Sequence, residues 1–347
     1  MFGAIYHVNL QSRDLIVKAV HRGNGPTFAE IEEASAALDG VLSNMALFHS
    51  PTLDDLTGCR LLVKAETLQP TGSFKIRGAW NKIRKLNGEA LGRGVLALSS
   101  GNHGLAVAWA ARRAGAKRVV ILMPQDAPRA KVEGARKLGA EVVHYDRSTV
   151  DRTSLVSEWR DDTGLTYVPA FDDRDVIAGA ATVALHGVRS AEASGLSVDD
   201  FVVACSGGGL AAGSVLALQE IASGTRVWAA EPEAHDDTAR SIEQGKRITL
   251  RSTEKTICDA LLSPEPGELT FEINRSGLAG VVRGSDDHAR LGMSTALSEF
   301  GLVAEPSGAL ALGSVLAGSL NLRGRTVMVV LSGRNVDREV YMSELKI

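Results

Sequence analysis

The sequence predicts an α/β protein built on parallel sheets. Three observations carry this. Short apolar runs alternate with helical patterns from Arg60 onward, nearly every run is apolar throughout, and several runs end in glycine- or serine-rich loops. Alternating strand and helix units give parallel sheets, and a strand covered on both faces by helices reads as a continuous apolar run.

Taken in order, Thr27-Phe28-Ala29-Glu30 is a capping box, with hydroxyl and carboxylate each satisfying a free backbone donor at a helix start. Ile31, Ala34, Leu38 and Val41 follow at helical spacing. Strands are expected at 61–65, 95–98, 119–123, 141–144, 201–204, 227–230 and 327–331, with helices at 103–114, 129–138, 176–193 and 210–221. A further helix starts near Ser73 and carries Lys75 in its first turn. Residues 1–26 show no periodicity and read as an extension.

With 44% hydrophobic and 23% charged residues, the 347-residue chain has the composition of an ordinary globular protein. Its net charge of −3 gives no electrostatic basis for nucleic acid or an anionic membrane as partner. No apolar run approaches the roughly 20 residues that span a bilayer. Residues 1–24 lack the basic region and apolar core of a secretory signal. The cysteines, Cys59, Cys205 and Cys258, are odd in number and lack metal-site spacing. They read as buried thiols in a reducing compartment, the cytoplasm.

Three strand ends lead into unusual loops. One expected strand runs into Ser99-Ser100-Gly101-Asn102-His103-Gly104, another into Cys205-Ser206-Gly207-Gly208-Gly209-Leu210, a third into Ser332-Gly333-Arg334-Asn335. Ligands of open α/β sheets bind at such carboxyl ends. The triple glycine lets backbone N–H groups close around an anion, with a helix N-terminus behind them, or else serves as a bare tight turn. It is neither a Walker loop nor a GxGxxG motif. Ser99 to His103 suits a carboxylate, or ordinary helix capping. Lys75, with Phe74, Trp80 and Ile83 as an apolar wall, would have a lowered pKa and form an imine; a solvated surface lysine is the plain alternative.

Together these segments resemble the serine/threonine dehydratase and serine racemase family of fold-type II pyridoxal 5′-phosphate (PLP) enzymes. The likeness runs from Pro51-Thr52-Leu53 to Asn335 and is strongest over Lys64 to Gln69, Thr71-Gly72-Ser73-Phe74-Lys75-Ile76-Arg77-Gly78-Ala79, and the serine- and glycine-rich loops. It implies a two-domain, tryptophan synthase β-like fold, with a large domain from 1–87 and 168–347 and a small one from 88–167. It implies Lys75 as the Schiff-base lysine, Phe74 against the cofactor ring and Asn102 on the ring hydroxyl. Ser206, Gly207, Gly208, Gly209 and Leu210 would hold the phosphate, and Ser332 would face the pyridine nitrogen. Ser99, Ser100, Asn102 and His103 would grip the substrate carboxylate. Ser100 would also serve the face opposite Lys75, and Arg152 would lie near the substrate side chain. Glu231, Asp237 and the carbonyl of His235 resemble the family's divalent-cation site, suited to Mg²⁺ or a similar hard ion; an acidic surface loop is the alternative.

The reaction so implied is β-elimination from a β-hydroxy amino acid, giving a 2-oxo acid and ammonia, with Lys75 also removing the Cα proton. A neutral hydroxyl at Ser332 stabilises a carbanion less than a carboxylate would, which favours expelling a β-substituent over transamination. Arg334 replaces a small residue of the family. It either meets a second anionic group, as in 3-hydroxyaspartate, or points away. Racemisation, β-replacement of the cysteine synthase type and PLP binding without turnover are the rival readings. The family is commonly homodimeric. Only 12 residues follow Asn335, which leaves no room for an amino-acid-sensing domain and implies a catabolic enzyme.

Overall fold

The computed structural model describes residues 25–42 and 45–346. The extension read over 1–26, and the segment searched for a secretory signal, thus lie almost wholly outside the described residues. Two sheets organise the chain. The larger contains β1 (Leu47–His49), β2 (Arg60–Ala65), β7 (Asp200–Ala204), β8 (Arg226–Pro232), β9 (Leu278–Gly284) and β10 (Thr326–Leu331), in the order β1-β2-β10-β7-β8-β9. The smaller contains β3 (Val95–Leu98), β4 (Val119–Pro124), β5 (Glu141–Tyr145) and β6 (Thr166–Tyr167), in the order β5-β4-β3-β6. Every pairing is parallel except β1 with β2 at the edge.

The period of two along a strand decides which core each side chain enters. Val327, Val329 and Leu331 pack into one cluster, whereas Met328 and Val330 pack into the cluster on the other face. The smaller sheet repeats this, with Val120 and Leu122 on one side and Ile121 and Met123 on the other. All seven expected strands are present. The strands not expected from sequence are β1, β6 and β9. The first two are too short to show a period, and β9 (LAGVVRG) is interrupted by glycine and arginine.

The Thr27 capping box is formed, with Thr27 N donating to the Glu30 carboxylate at 2.7 Å and Glu30 N to the Thr27 hydroxyl at 3.3 Å. The helix Arg174–Ala193 crosses the helix Lys75–Ile83, and there only glycine fits: a Cβ on Gly179 would lie 2.5 Å from the Arg77 carbonyl. That close approach fixes the helix carrying Lys75 against the core. Among the described residues, no helix is long and apolar enough to cross a membrane.

Candidate active site

The three loops converge. Lys75, Ser99, Ser100, Asn102, His103, Ser206 to Leu210 and Ser332 line one cavity, together with Phe74 and Arg152. Trp80 and Ile83 do not join Phe74 there; they pack in the small-sheet core, because the helix turns those positions away from the cavity. Arg334 also stays outside the lining. Its guanidinium donates to the Thr67 carbonyl, and its backbone N–H to the Gly72 carbonyl at 2.8 Å.

Lys75 Nζ donates to the carbonyl of Ala170 at 2.7 Å and lies 5.2 Å from the Phe74 ring centre. Among the described residues no carboxylate pairs with it. Loss of water pushes its pKa down to about 8, opposed weakly by the Cys205 thiol. An amine so placed is neutral often enough near neutral pH to act as nucleophile or base.

In the triple-glycine loop, Gly208 has φ +93°, a conformation open to glycine. The Gly207 carbonyl accepts from the Thr270 hydroxyl at 2.6 Å, and the Gly208 carbonyl from Asn274 Nδ2 at 3.2 Å. In a planar trans peptide the N–H points opposite to the C=O. Tying both carbonyls back therefore turns the N–H groups of Gly208 and Gly209 the other way, at the start of the helix Gly209–Ile221. Ser206 uses its hydroxyl to accept from Ser263 N at 3.1 Å. A desolvated lysine amine, inward amides at a helix N-terminus and the neutral Ser332 fit the amine, phosphate and ring-nitrogen contacts that PLP requires.

Asn102 is held at both ends: Nδ2 donates to Glu305 Oε1 at 2.6 Å, and Oδ1 accepts from Asn335 Nδ2 at 2.8 Å. The second Nδ2 hydrogen remains for a ligand. Ser99 braces its own loop, accepting from Gly101 N at 3.0 Å and Gly104 N at 2.9 Å. His103 Nε2 donates to the Val168 carbonyl at 2.9 Å, and its buried Nδ1 has no partner. Burial first, then the Lys75 charge, holds its pKa near 3, so it stands as a neutral acceptor and adds no positive charge.

Glu231 accepts from the backbone N–H groups of Thr238 at 3.1 Å and Ala239 at 2.9 Å. Both carboxylate oxygens of the fully buried Asp237 lack a partner. Burial raises both pKa values, and the Glu231 charge raises that of Asp237 further. Uncompensated buried carboxylates suit a cation. The His235 side chain is not part of this pair, since its Nε2 meets the Glu254 carbonyl at 3.1 Å. Among the described residues, no cluster of three or more His, Cys, Asp or Glu side chains that could hold a metal occurs.

Sequence reasoning missed Glu305, Lys131, Asp259 and Arg147. Lys131 is 1% exposed and pairs with Asp259 at 2.6 Å and Glu305 at 3.0 Å. Asp259 and Glu305 line the cavity, as do Tyr145 at the end of β5 and Arg147 just after it. Glu305 had one usable signal: it directly precedes Pro306, the first residue of the apolar helix Pro306–Leu316, where a buried acid is unusual.

A family model for "Pyridoxal-phosphate dependent enzyme" matches residues 39–333. The chain is 35% identical to an L-threo-3-hydroxyaspartate ammonia-lyase of Pseudomonas sp, covering 92% of this chain and 98% of that one. It is 32% identical to a serine racemase of Schizosaccharomyces pombe, covering 91% and 96%. The structure of maize serine racemase superposes with a TM-score of 0.85 at 31% identity, covering 93% of this chain and 97% of that one. The chain belongs to the pyridoxal-phosphate dependent enzyme family, and pyridoxal 5′-phosphate is the cofactor its cavity takes.

Proposed function

We propose that the chain is an ammonia-lyase that eliminates water from a β-hydroxy amino acid and releases a 2-oxo acid and ammonia. The observation that carries this is the desolvated Lys75 amine in one cavity with the Ser99–His103 loop and the neutral hydroxyl of Ser332. When bound, PLP supplies an electron sink for the pair left at Cα. Lys75 takes the Cα proton. The Ser99–His103 loop holds the α-carboxylate through hydroxyl and amide donors at the N-terminus of the helix Asn102–Ala114. The β-hydroxyl leaves as water with the proton that Lys75 took from Cα, and the released enamine takes up a water to give the 2-oxo acid and ammonia. The activity of the Pseudomonas relative supports 3-hydroxyaspartate as the first substrate to assay. Serine, threonine and threo-3-hydroxyaspartate should each be followed for 2-oxo acid; a holoenzyme that releases none from any of them sinks the proposal. Ser100 lines the cavity with Lys75, which favours racemisation as a side activity. Loss of optical activity without 2-oxo acid would make racemisation the main one.

Domain boundaries at 88 and 167, a homodimer and a cytoplasmic setting belong to the same reading. Sedimentation tests the dimer. Glu231, Asp237 and the His235 carbonyl are its cation site. Saturating Mg²⁺ at a hundredfold excess over Kd should add about 2.7 kcal/mol, several degrees in Tm. Chelation should reverse the gain, and Asp237→Asn should abolish it. A Tm indifferent to chelator and to added Mg²⁺, Mn²⁺ and Ca²⁺ rules the site out.

A further inference from the structure

We propose that Arg147, beside the Arg152 that the resemblance already places near the substrate side chain, binds a side-chain carboxylate, so that the preferred substrate is a β-hydroxy amino acid carrying two carboxylates. This rests on the elimination reading above and adds the residue that selects the substrate. β3, β4 and β5 lie side by side, and their carboxyl ends border the cavity: β3 leads into Ser99, while Pro124 of β4 pairs with Tyr145 of β5. Arg147 and Arg152 follow β5, two strand spacings from β3, roughly 10 Å. A substrate whose α-carboxylate sits on the Ser99 loop can extend its side chain along these strand ends. Long arginine side chains reach back to meet it.

Arg147 and Arg152 both have donors to offer. Arg147 contacts Asp126 at 2.8 Å through one terminal nitrogen, and that carboxylate is 65% exposed. A guanidinium has five N–H donors in a fixed fork, and the Nε of Arg147 is buried without a partner. No hydrogen bond or ion pair engages the Arg152 side chain among the described residues. The two acids of the cavity wall, Asp259 and Glu305, are both paired with Lys131 and do not neutralise either arginine. A buried donor without an acceptor is costly, and a ligand carboxylate removes that cost while adding charge-assisted bonds.

The test uses PLP-loaded wild type, Arg147→Gln and Arg147→Lys. Succinate serves as an unreactive dicarboxylate probe and butyrate as its monocarboxylate control, with binding read by calorimetric titration. Succinate affinity and kcat/KM for threo-3-hydroxyaspartate should each fall roughly 10- to 100-fold in Arg147→Gln. Arg147→Lys, a point charge without the fork, should recover part of the loss. kcat/KM for threonine should stay within about threefold, since threonine never used these donors. If succinate binding and the substrate ratio are the same in Arg147→Gln as in wild type, the subsite is overturned and the elimination stands. If wild type releases no 2-oxo acid but binds succinate through Arg147, the elimination is overturned and the subsite stands.

Discussion

Lys75→Ala should lose at least roughly 10³-fold in 2-oxo acid release, because one side chain supplies two functions. On the proposed reading the amine both anchors the cofactor covalently and takes the Cα proton. No other lysine, aspartate or unpaired glutamate of the cavity wall can take over. Lys131 is held by Asp259 and Glu305. His103 is neutral, with Nε2 committed to Val168. The helix that carries Lys75 is fixed by Gly179 and by the buried pair of Arg77 with Glu66 at 2.7 Å, so the fold should survive the substitution. Two readouts separate the roles. Cofactor absorbance retained after gel filtration reports anchoring, and added methylamine reports the base. Partial recovery of turnover by the amine is expected. Turnover within about tenfold of wild type would falsify the assignment.

Most of the frame was legible because parallel strands buried on both faces write themselves as apolar runs. β10 is the clearest case: Val327 to Leu331 alternate between two cores, so no position tolerates a polar residue. Much of the cavity lining was legible as well, since Ser99 to His103, Ser206 to Leu210 and Ser332 sit in strand-end loops of small residues. What stayed hidden is the support behind them. Asn102 is oriented by Glu305 and Asn335, which are more than 200 positions away. Asp259 lies between the helices Asp237–Gln244 and Glu268–Gly277, in a segment with no strand or helix of its own. Arg334 misled for the complementary reason. Beside Ser332 in sequence, it lies past the strand end, where the chain turns its side chain to the Thr67 carbonyl. Adjacency in a loop carries no direction, whereas adjacency in a strand does.

Lys131→Met should be the most destabilising single change at the site, by about 3–5 kcal/mol. Lys131 begins in the helix Arg129–Lys137 beside the small sheet, and its partners Asp259 and Glu305 belong to the chain around the larger one. It thus ties the two sheets together beneath the cavity. Its stem also packs under the Ser99–His103 loop, where a Cβ on Gly101 would lie 2.4 Å from Lys131 Cδ. Methionine keeps that stem and removes the charge. Glu305, 1% exposed, then has no cation to offset its burial. Burial already raises its pKa even with Lys131 present, and the lysine is what opposes the rise. Without it the rise grows, and the folded variant holds a proton that the unfolded chain releases near the ordinary value of about 4.3. The folded state then binds more protons than the unfolded one, so stability falls as pH climbs through the raised value. Denaturation of the variant should therefore show greater stability at about pH 5.5 than at about pH 8, a steeper fall than wild type shows over the same range. Adding Glu305→Gln should restore part of the loss at the higher pH, since the amide needs no cation and still accepts from Asn102. A variant as stable as wild type at both pH values would mean that the bridge between the sheets contributes nothing.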